Sequence, residues 1–520
     1  MIITDNLLSK AKENSDDLLE FHQGVEKEGL RVGEDKYASK REHSEKLGHK
    51  LTHPYITTDY AENLLEFVSP VFTNNKELLD FIADIQAFAL KHMDSEYIWP
   101  ASMPCYLAGD KEIPIASFGE SNVGKLKTLY RMGLGYRYGR SMQSIAGMHF
   151  NFSISRSLIS KLHQELASEV ELVEFTNAMY FKMIRNFRRH SWLLLYLFGS
   201  SPVVDEKFLE GKIHALDKLG KDTYGKKYAT SLRMGGLGYT STAQEDISVC
   251  YNQLDTYVKT LESARKRPFA PYEKIGVKVG DEYRQLNANL LQIDNEFYSP
   301  LRPKRTARSG ESALQALHAH GVEYIEVRLL DLNPFVAEGI NEEEVKFLQA
   351  FLTYCMLDES PEISSKECDE ITNNFKLVVE DGRNPEAKLS FGDDQVLVHT
   401  AAKQLLESID KFISGDEKLS SYYGDGVKEQ IAKVENPEEL FSARVLSLID
   451  ENTSFVDAMF ELAKKHKDEL LKRPLEREDA WLELVEKSHI EEKEIVGQDA
   501  DNFDNFLTKY FEKINIKDYP

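Results

Sequence analysis

Gly24-Val25-Glu26-Lys27-Glu28-Gly29-Leu30-Arg31-Val32 reads as a strand, because apolar residues alternate with charged ones and neighbouring side chains in a strand project to opposite faces. Glu26 and Glu28 therefore point together, an odd choice beside Val25, Leu30 and Val32. Met148-His149-Phe150-Asn151-Phe152-Ser153 repeats the pattern, with His149, Asn151 and Ser153 opposing Met148, Phe150 and Phe152. In Tyr324-Ile325-Glu326-Val327-Arg328-Leu329, Glu326 and Arg328 oppose Ile325, Val327 and Leu329. Three strands thus combine an apolar face with one bearing carboxylates, an imidazole and a guanidinium. An ordinary solvated face would account for the period, but such faces usually carry Lys, Thr and Ser rather than repeated Glu.

Helical patterns lie between these strands, at Leu79 to Ala89 and Val170 to Arg188, and a short helix is expected within residues 1–20. Strands and helices mixed without regular βαβ spacing predict an α+β fold. After about residue 340 the character changes. Glu342 to Leu357, Ala402 to Ile413 and Phe455 to Leu471 carry helical apolar faces, separated by turn-rich breaks at Asn384-Pro385 and Gly415 to Gly426. Residues 1–340 are expected to form a mixed strand-and-helix unit, and 341–520 a mostly helical region packed on it.

The segment from Ile56 to Pro70 contributes Asp59 and Glu66. As a helix, it would hold these two acids two turns apart on one side. As a bend followed by a strand, it would set Glu66 among Leu64, Leu65, Phe67 and Val68. Either way an acid sits in an apolar run, where an unpaired carboxylate is costly. A cation is the usual remedy, and hard oxygen ligands with one His suit Mg²⁺ or Mn²⁺. Basic residues gather in Arg302-Pro303-Lys304-Arg305-Thr306-Ala307-Arg308, readable as a solvated loop or as a clamp for phosphates.

The 520 residues carry 64 Lys and Arg against 87 Asp and Glu, a net charge of −23. That field repels nucleic acid and anionic membranes. The longest apolar run, Trp192 to Phe198, is far short of the ~20 residues of a membrane span. No secretion signal opens the chain, and Cys105, Cys250, Cys355 and Cys368 form no CxxC pair, so a reduced cytoplasmic protein is expected. Gly119 to Leu126 and Gly220 to Lys227 imitate the spacing of a phosphate loop but lack the Ser or Thr that would hold Mg²⁺. There is no GxGxxG opening a helix, no HExxH and no GxSxG.

The chain resembles the proteobacterial glutamate–cysteine ligases. The matching blocks are Gly24 to Val32, Leu51 to Pro70, Trp99 to Tyr106, Lys127 to Arg131, Gly147 to Ser153, Tyr228 to Arg233, Arg302 to Glu311 and Glu323 to Arg328. The resemblance runs from about residue 20 to 450 and is weak in the last 70 or so. The resemblance implies a glutamine synthetase-like fold, a curved and mostly antiparallel sheet forming a funnel. It implies ATP-dependent joining of the γ-carboxylate of L-glutamate to the amine of L-cysteine through a γ-glutamyl phosphate. The product would be γ-glutamylcysteine, with ADP and phosphate.

Carried over by position, the metal ligands are Glu26, Glu28, Asp59, Glu66, His149 and Glu326, for Mg²⁺ or Mn²⁺. Tyr130, Tyr239 and Tyr298, near Leu134 and Gln143, would wall the cysteine pocket. Tyr60 stands where the family often has Phe. Arg328 is expected to neutralise the transferring phosphoryl with help from Arg131. Arg233 should anchor an α-carboxylate, and Asn151 belongs to the substrate-binding set. The family also implies feedback inhibition by glutathione, and the protein is expected to act as a monomer. His163 occupies the position of a second family cysteine, which leaves Cys105 without that disulfide partner. A sister ligase with another amine acceptor, or an inactive acidic binding relative, are the rival readings.

Overall fold

The computed structural model describes residues 7–238, 242–245, 247, 249–308 and 311–516. Its central sheet contains β1 (Phe21–Val32), β2 (Ile56–Thr58), β3 (Leu64–Val68), β4 (Tyr97–Ile98), β5 (Met148–Ile154), β6 (Leu301–Lys304) and β7 (Tyr324–Leu330). The order is β6-β7-β5-β1-β3-β2, with β4 paired to β1. Every pairing is antiparallel. The mixed helical and antiparallel-sheet architecture agrees with the α+β expectation. For Ile56 to Pro70, the bend followed by a strand is the alternative observed.

Register decides what the sheet presents. Glu28 lies opposite Glu66 and Glu26 opposite His149, while Glu326 faces Asn151 on one side and Arg302 on the other. Directly opposed residues in antiparallel strands share a face. The alternation therefore gathers acids from β1, β3 and β7 on one surface. Between Val327 and Leu330 the β5–β7 register shifts, and Arg328 sits in that irregularity.

On the other surface Val25, Leu65, Phe67, Phe150, Ile325 and Val327 are fully buried. Helix α1 (Asn75–His92) packs on β3, and α3 (Leu172–Phe198) packs on β7. Helix α4 (Glu342–Leu357) closes over both helices. Each such side chain contributes about 1.5–3 kcal/mol by leaving water, which anchors the sheet from behind. Lys27 is the exception in this layer: buried, its ammonium donates to Gln86 and to the carbonyl of Ala337.

Two expectations need correcting. The Gly415 to Gly426 stretch is no turn-rich break beyond Asp416, because helix α6 (Glu417–Glu435) runs through it. Asp416 caps that helix, its carboxylate accepting from the amides of Lys418 and Leu419. Gly426 lets α6 approach α4, since a Cβ there would lie 2.8 Å from the carbonyl oxygen of Glu343. Arg302 to Lys304 is likewise not a loop but β6, and buried Arg302 donates to the carbonyls of Asn295 (2.8 Å) and Phe297. One Nη of that guanidinium is thus engaged by backbone carbonyls.

All four cysteines are free thiols, and Cys105 is buried, which pushes its thiol far up from the ordinary range. Among the described residues no helix is long and apolar enough to cross a membrane.

Gly426 gives a sign test. In an unobstructed helix Gly→Ala stabilises by about 1 kcal/mol. Here Gly426→Ala should destabilise by about 1–3 kcal/mol, because backbone must move aside. Urea unfolding reads the difference, and a more stable variant would contradict the packing.

Candidate active site

The strands' register condenses into a cluster around His149. Its Nδ1 lies 2.9 Å from Glu26 Oε2 and 4.0 Å from Glu326 Oε1, and its Nε2 lies 3.7 Å from Glu28 Oε1. Asn151 Nδ2 donates to Glu26 at 3.1 Å, and the Gly147 amide donates to Glu28 at 2.6 Å. Arg328 Nη1 sits 3.2 Å from Glu326 Oε2, with Lys304 Nζ 3.5 Å from Oε1. Beyond β3, Arg131 on helix α2 (Asn122–Tyr138) donates to the backbone carbonyl of Asp59 and stacks 4.2 Å over Phe118.

These acids do not share one charge state. Burial, reinforced by Asp59, pushes Glu28 up to about 7. Burial and the adjacent Asp59, Glu26 and Glu28 push Glu66 well above the ordinary carboxylate range. Burial acts on Glu326 as well, but Lys304, Arg328 and His149 outweigh it and hold that carboxyl well below the range. Glu26 is likewise pulled down, its contact with His149 overcoming burial. Desolvation works against the charge on Arg328, yet Glu326, Glu28 and Glu26 raise its pKa above the ordinary guanidinium value. One side of the cluster is thus compensated by cations, while the Glu28–Glu66 side lacks enough positive charge.

Two cavities open on the cluster. One of about 840 Å³ is bordered by Glu26, Asn151, Gly24, Tyr324 and Arg305. The other, about 600 Å³, is bordered by His149, Arg233, Tyr298, Arg328 and the helix α5 (Ser365–Asp381) residue Phe375. Gln143 supports that wall, its Nε2 donating to the Tyr298 hydroxyl at 2.9 Å. Arg233 is fixed by the carbonyl of Arg328 at 3.0 Å and lies 3.8 Å from Asp331.

Tyr130 and Leu134 lie on α2, where Tyr130 packs partly buried against both apolar clusters. Tyr60 is fully buried, with its hydroxyl 2.5 Å from where a Gly135 Cβ would stand. It lines neither cavity. Tyr239 lies outside the described residues. Sequence reasoning missed the contribution of Phe375, and also the fully buried Arg137–Glu296 pair (2.9 Å) behind the tyrosine wall. Arg137 follows Arg131 by six residues, but nothing local in the sequence marks its partner.

The match to known proteins is extensive. The family model for glutamate-cysteine ligase covers residues 6–378. The chain belongs to the glutamate–cysteine ligase family. A glutamate–cysteine ligase from Hahella chejuensis is 44% identical over 95% of this chain and 96% of its own length. One from Pseudomonas entomophila is 41% identical over 97% and 96%. A crystal structure of glutamate–cysteine ligase from Francisella tularensis, in complex with AMP, superposes with a TM-score of 0.89 at 33% identity, covering 95% of this chain and 98% of that one.

The donor set fits a hard divalent cation. Ligand atoms of Glu26, Glu66 and His149 all lie within 4.8 Å of one another. Among the described residues, buried Asn151 Oδ1 accepts no hydrogen bond, and oxygen donors with one imidazole suit Mg²⁺ or Mn²⁺.

A pH dependence follows. An acid whose pKa is raised on folding binds more protons folded than unfolded between the two values, so stability falls as pH rises through that window. For Glu28 the window runs from 4.5 to about 7. Metal-free protein should therefore lose on the order of 2–3 kcal/mol between pH 5 and pH 8 from this carboxyl. Glu28→Gln should flatten the profile in thermal melts, and an unchanged slope would contradict the crowding.

Proposed function

We propose that this enzyme joins the γ-carboxylate of L-glutamate to the amine of L-cysteine, with ATP as co-substrate, giving γ-glutamylcysteine, ADP and phosphate. The arrangement of the two cavities carries the reading. Glu26 borders one and its neighbour His149 borders the other. A nucleotide in the first and amino acids in the second would meet at the carboxylate cluster. The family membership and the AMP complex of the Francisella tularensis enzyme support that use of the fold. The curved sheet is read as a glutamine synthetase-like funnel, with residues 1–340 as the catalytic unit and 341–520 as the helical region against it.

A carboxylate does not condense with an amine in water without activation, and phosphorylation to an acyl phosphate supplies that. Glu26, Glu28, Asp59, Glu66, His149 and Glu326 would hold Mg²⁺ or Mn²⁺. When bound, the metal screens the phosphates and supports charge on the transferring group. Arg328, paired with Glu326 and bordering the second cavity, would place its guanidinium beside that group, and Arg131 would add charge from the Asp59 side. Preorganised charge of this kind is commonly worth ~3–4 kcal/mol per group. Arg233, fixed by the Arg328 carbonyl, is suited to grip an α-carboxylate. Tyr298 with Gln143, and Tyr130 with Leu134 on α2, would wall the cysteine side.

Glutathione contains the product's γ-glutamyl and cysteinyl groups, so the second cavity is also the place for feedback inhibition. Free thiols throughout the chain fit a reducing cytoplasm, and we take the monomer as the working unit.

With ATP, Mg²⁺, glutamate and cysteine, mass spectrometry should show γ-glutamylcysteine. Glu66→Gln and Arg328→Met should each lower kcat by about 10²–10³-fold while thermal melts stay cooperative. Dipeptide formation at wild-type rate in both variants would remove these residues from the chemistry.

A further inference from the structure

The last segment of the chain grips the helix that carries Tyr130 and Arg131. Helix α7 (Glu478–Gln498) leads into a turn, and helix α8 (Phe503–Ile514) follows. At the turn the Asp499 carboxylate accepts the Asn122 amide at 2.6 Å, and Asn122 Nδ2 donates to the Asp501 carbonyl at 2.9 Å. Asn122 is the first residue of α2, where an unpaired amide and the helix dipole both favour an anion. One turn to two turns along, Leu507 from α8 is buried with Leu129 and Leu286, in a small core separate from the main one, with Tyr130, Phe503 and Phe511 around it.

The far end of the segment is tied down independently. Arg265 Nη2 donates to the Ile514 carbonyl at 2.7 Å, and the Ile516 amide donates to Glu262 at 3.0 Å. Glu262 and Arg265 are both buried on the helix Leu254–Lys266. Residues 499–516 therefore span from the start of α2 to another helix, pressing α2 inward along the way. The residues pressed are neighbours of the ones that face the site. Leu129 and Tyr130 meet the strap, while Arg131 reaches the Asp59 carbonyl on the opposite side.

We propose that residues 499–516 form a positioning strap that sets the register of α2, and through it the placing of Tyr130, Arg131 and Leu134 for amino-acid substrate. Asp499 and Leu507 are its two fastenings, and they act through α2 without touching substrate. Neither cavity is bordered by a residue of α2, but Tyr130 and Leu134, assigned above to the cysteine side, both lie on it. Loosening the strap should thus disturb the cysteine side more than the nucleotide. The inference rests on that proposed role of Tyr130 and Leu134.

The test uses the full-length enzyme with Leu507→Ala and Asp499→Asn, Leu507→Met as the conservative variant and exposed Glu512→Ala as the control. Hydrogen exchange across residues 122–138 reads the strap without any assay of turnover. Kinetics read its consequence. Leu507→Ala and Asp499→Asn should speed exchange in 122–138 while β1 and β5 keep their protection. KM for cysteine should rise about tenfold while KM for ATP stays within about twofold. Leu507→Met and Glu512→Ala should match the parent in both readouts. Unchanged exchange in 122–138 would overturn the strap, and so would KM values for cysteine and ATP that rise together. If the parent forms no γ-glutamylcysteine, the functional reading fails instead, and the exchange data still decide whether the segment holds α2.

Discussion

Like charges held close in a poorly solvated place set the terms for this molecule. Two unit charges 4 Å apart repel by about 4 kcal/mol at an effective dielectric of 20. The sheet nevertheless brings Glu26, Glu28, Glu66 and Glu326 to one surface by opposed register. Arg328, Lys304 and His149 offset Glu326 and Glu26. The uncompensated remainder, Glu28 and Glu66, resists ionising. Such a site favours cations and, with them, polyanionic substrates. The apolar layer behind the sheet is what holds the strands in this otherwise unfavourable arrangement.

Much of that arrangement was legible in the sequence, because a period of two is a geometric rule. Glu26 with Glu28, His149 with Asn151, and Glu326 each fall on the face that alternation assigns. Lys27 lies on the opposite face, and its burial against Gln86 and Ala337 is a finding of the structure. The fold class was readable for the same reason. The roles of individual residues were not; they came from the resemblance to a family, and geometry adds where each side chain stands.

What the sequence hid are features that need a partner distant in the chain. Gly424 and Gly426 look like a break, yet they sit within α6, and at Gly426 a facing helix demands a small residue. The basic run from Arg302 left a solvated loop and a phosphate clamp open; pairing with β7 makes Arg302 part of the sheet's edge, with its guanidinium toward the carbonyls of Asn295 and Phe297, while Arg305 borders the first cavity. The register shift beside Arg328 is likewise announced by no local spacing. Asp499 and Leu507 matter only because the chain returns to α2 some 370 residues after that helix begins, as the Asn122–Asp499 separation of 377 shows.

The central claim is that these crowded carboxylates and one imidazole ligate divalent ions. Pulsed electron paramagnetic resonance on the full-length protein with Mn²⁺ and a nonhydrolysable ATP analogue tests it most directly. The account requires bound Mn²⁺ with a nitrogen coupling that vanishes in His149→Ala, and weaker Mn²⁺ binding in Glu26→Gln and Glu66→Gln. Mn²⁺ bound without any protein nitrogen coupling, and with equal affinity in all three variants, would contradict it.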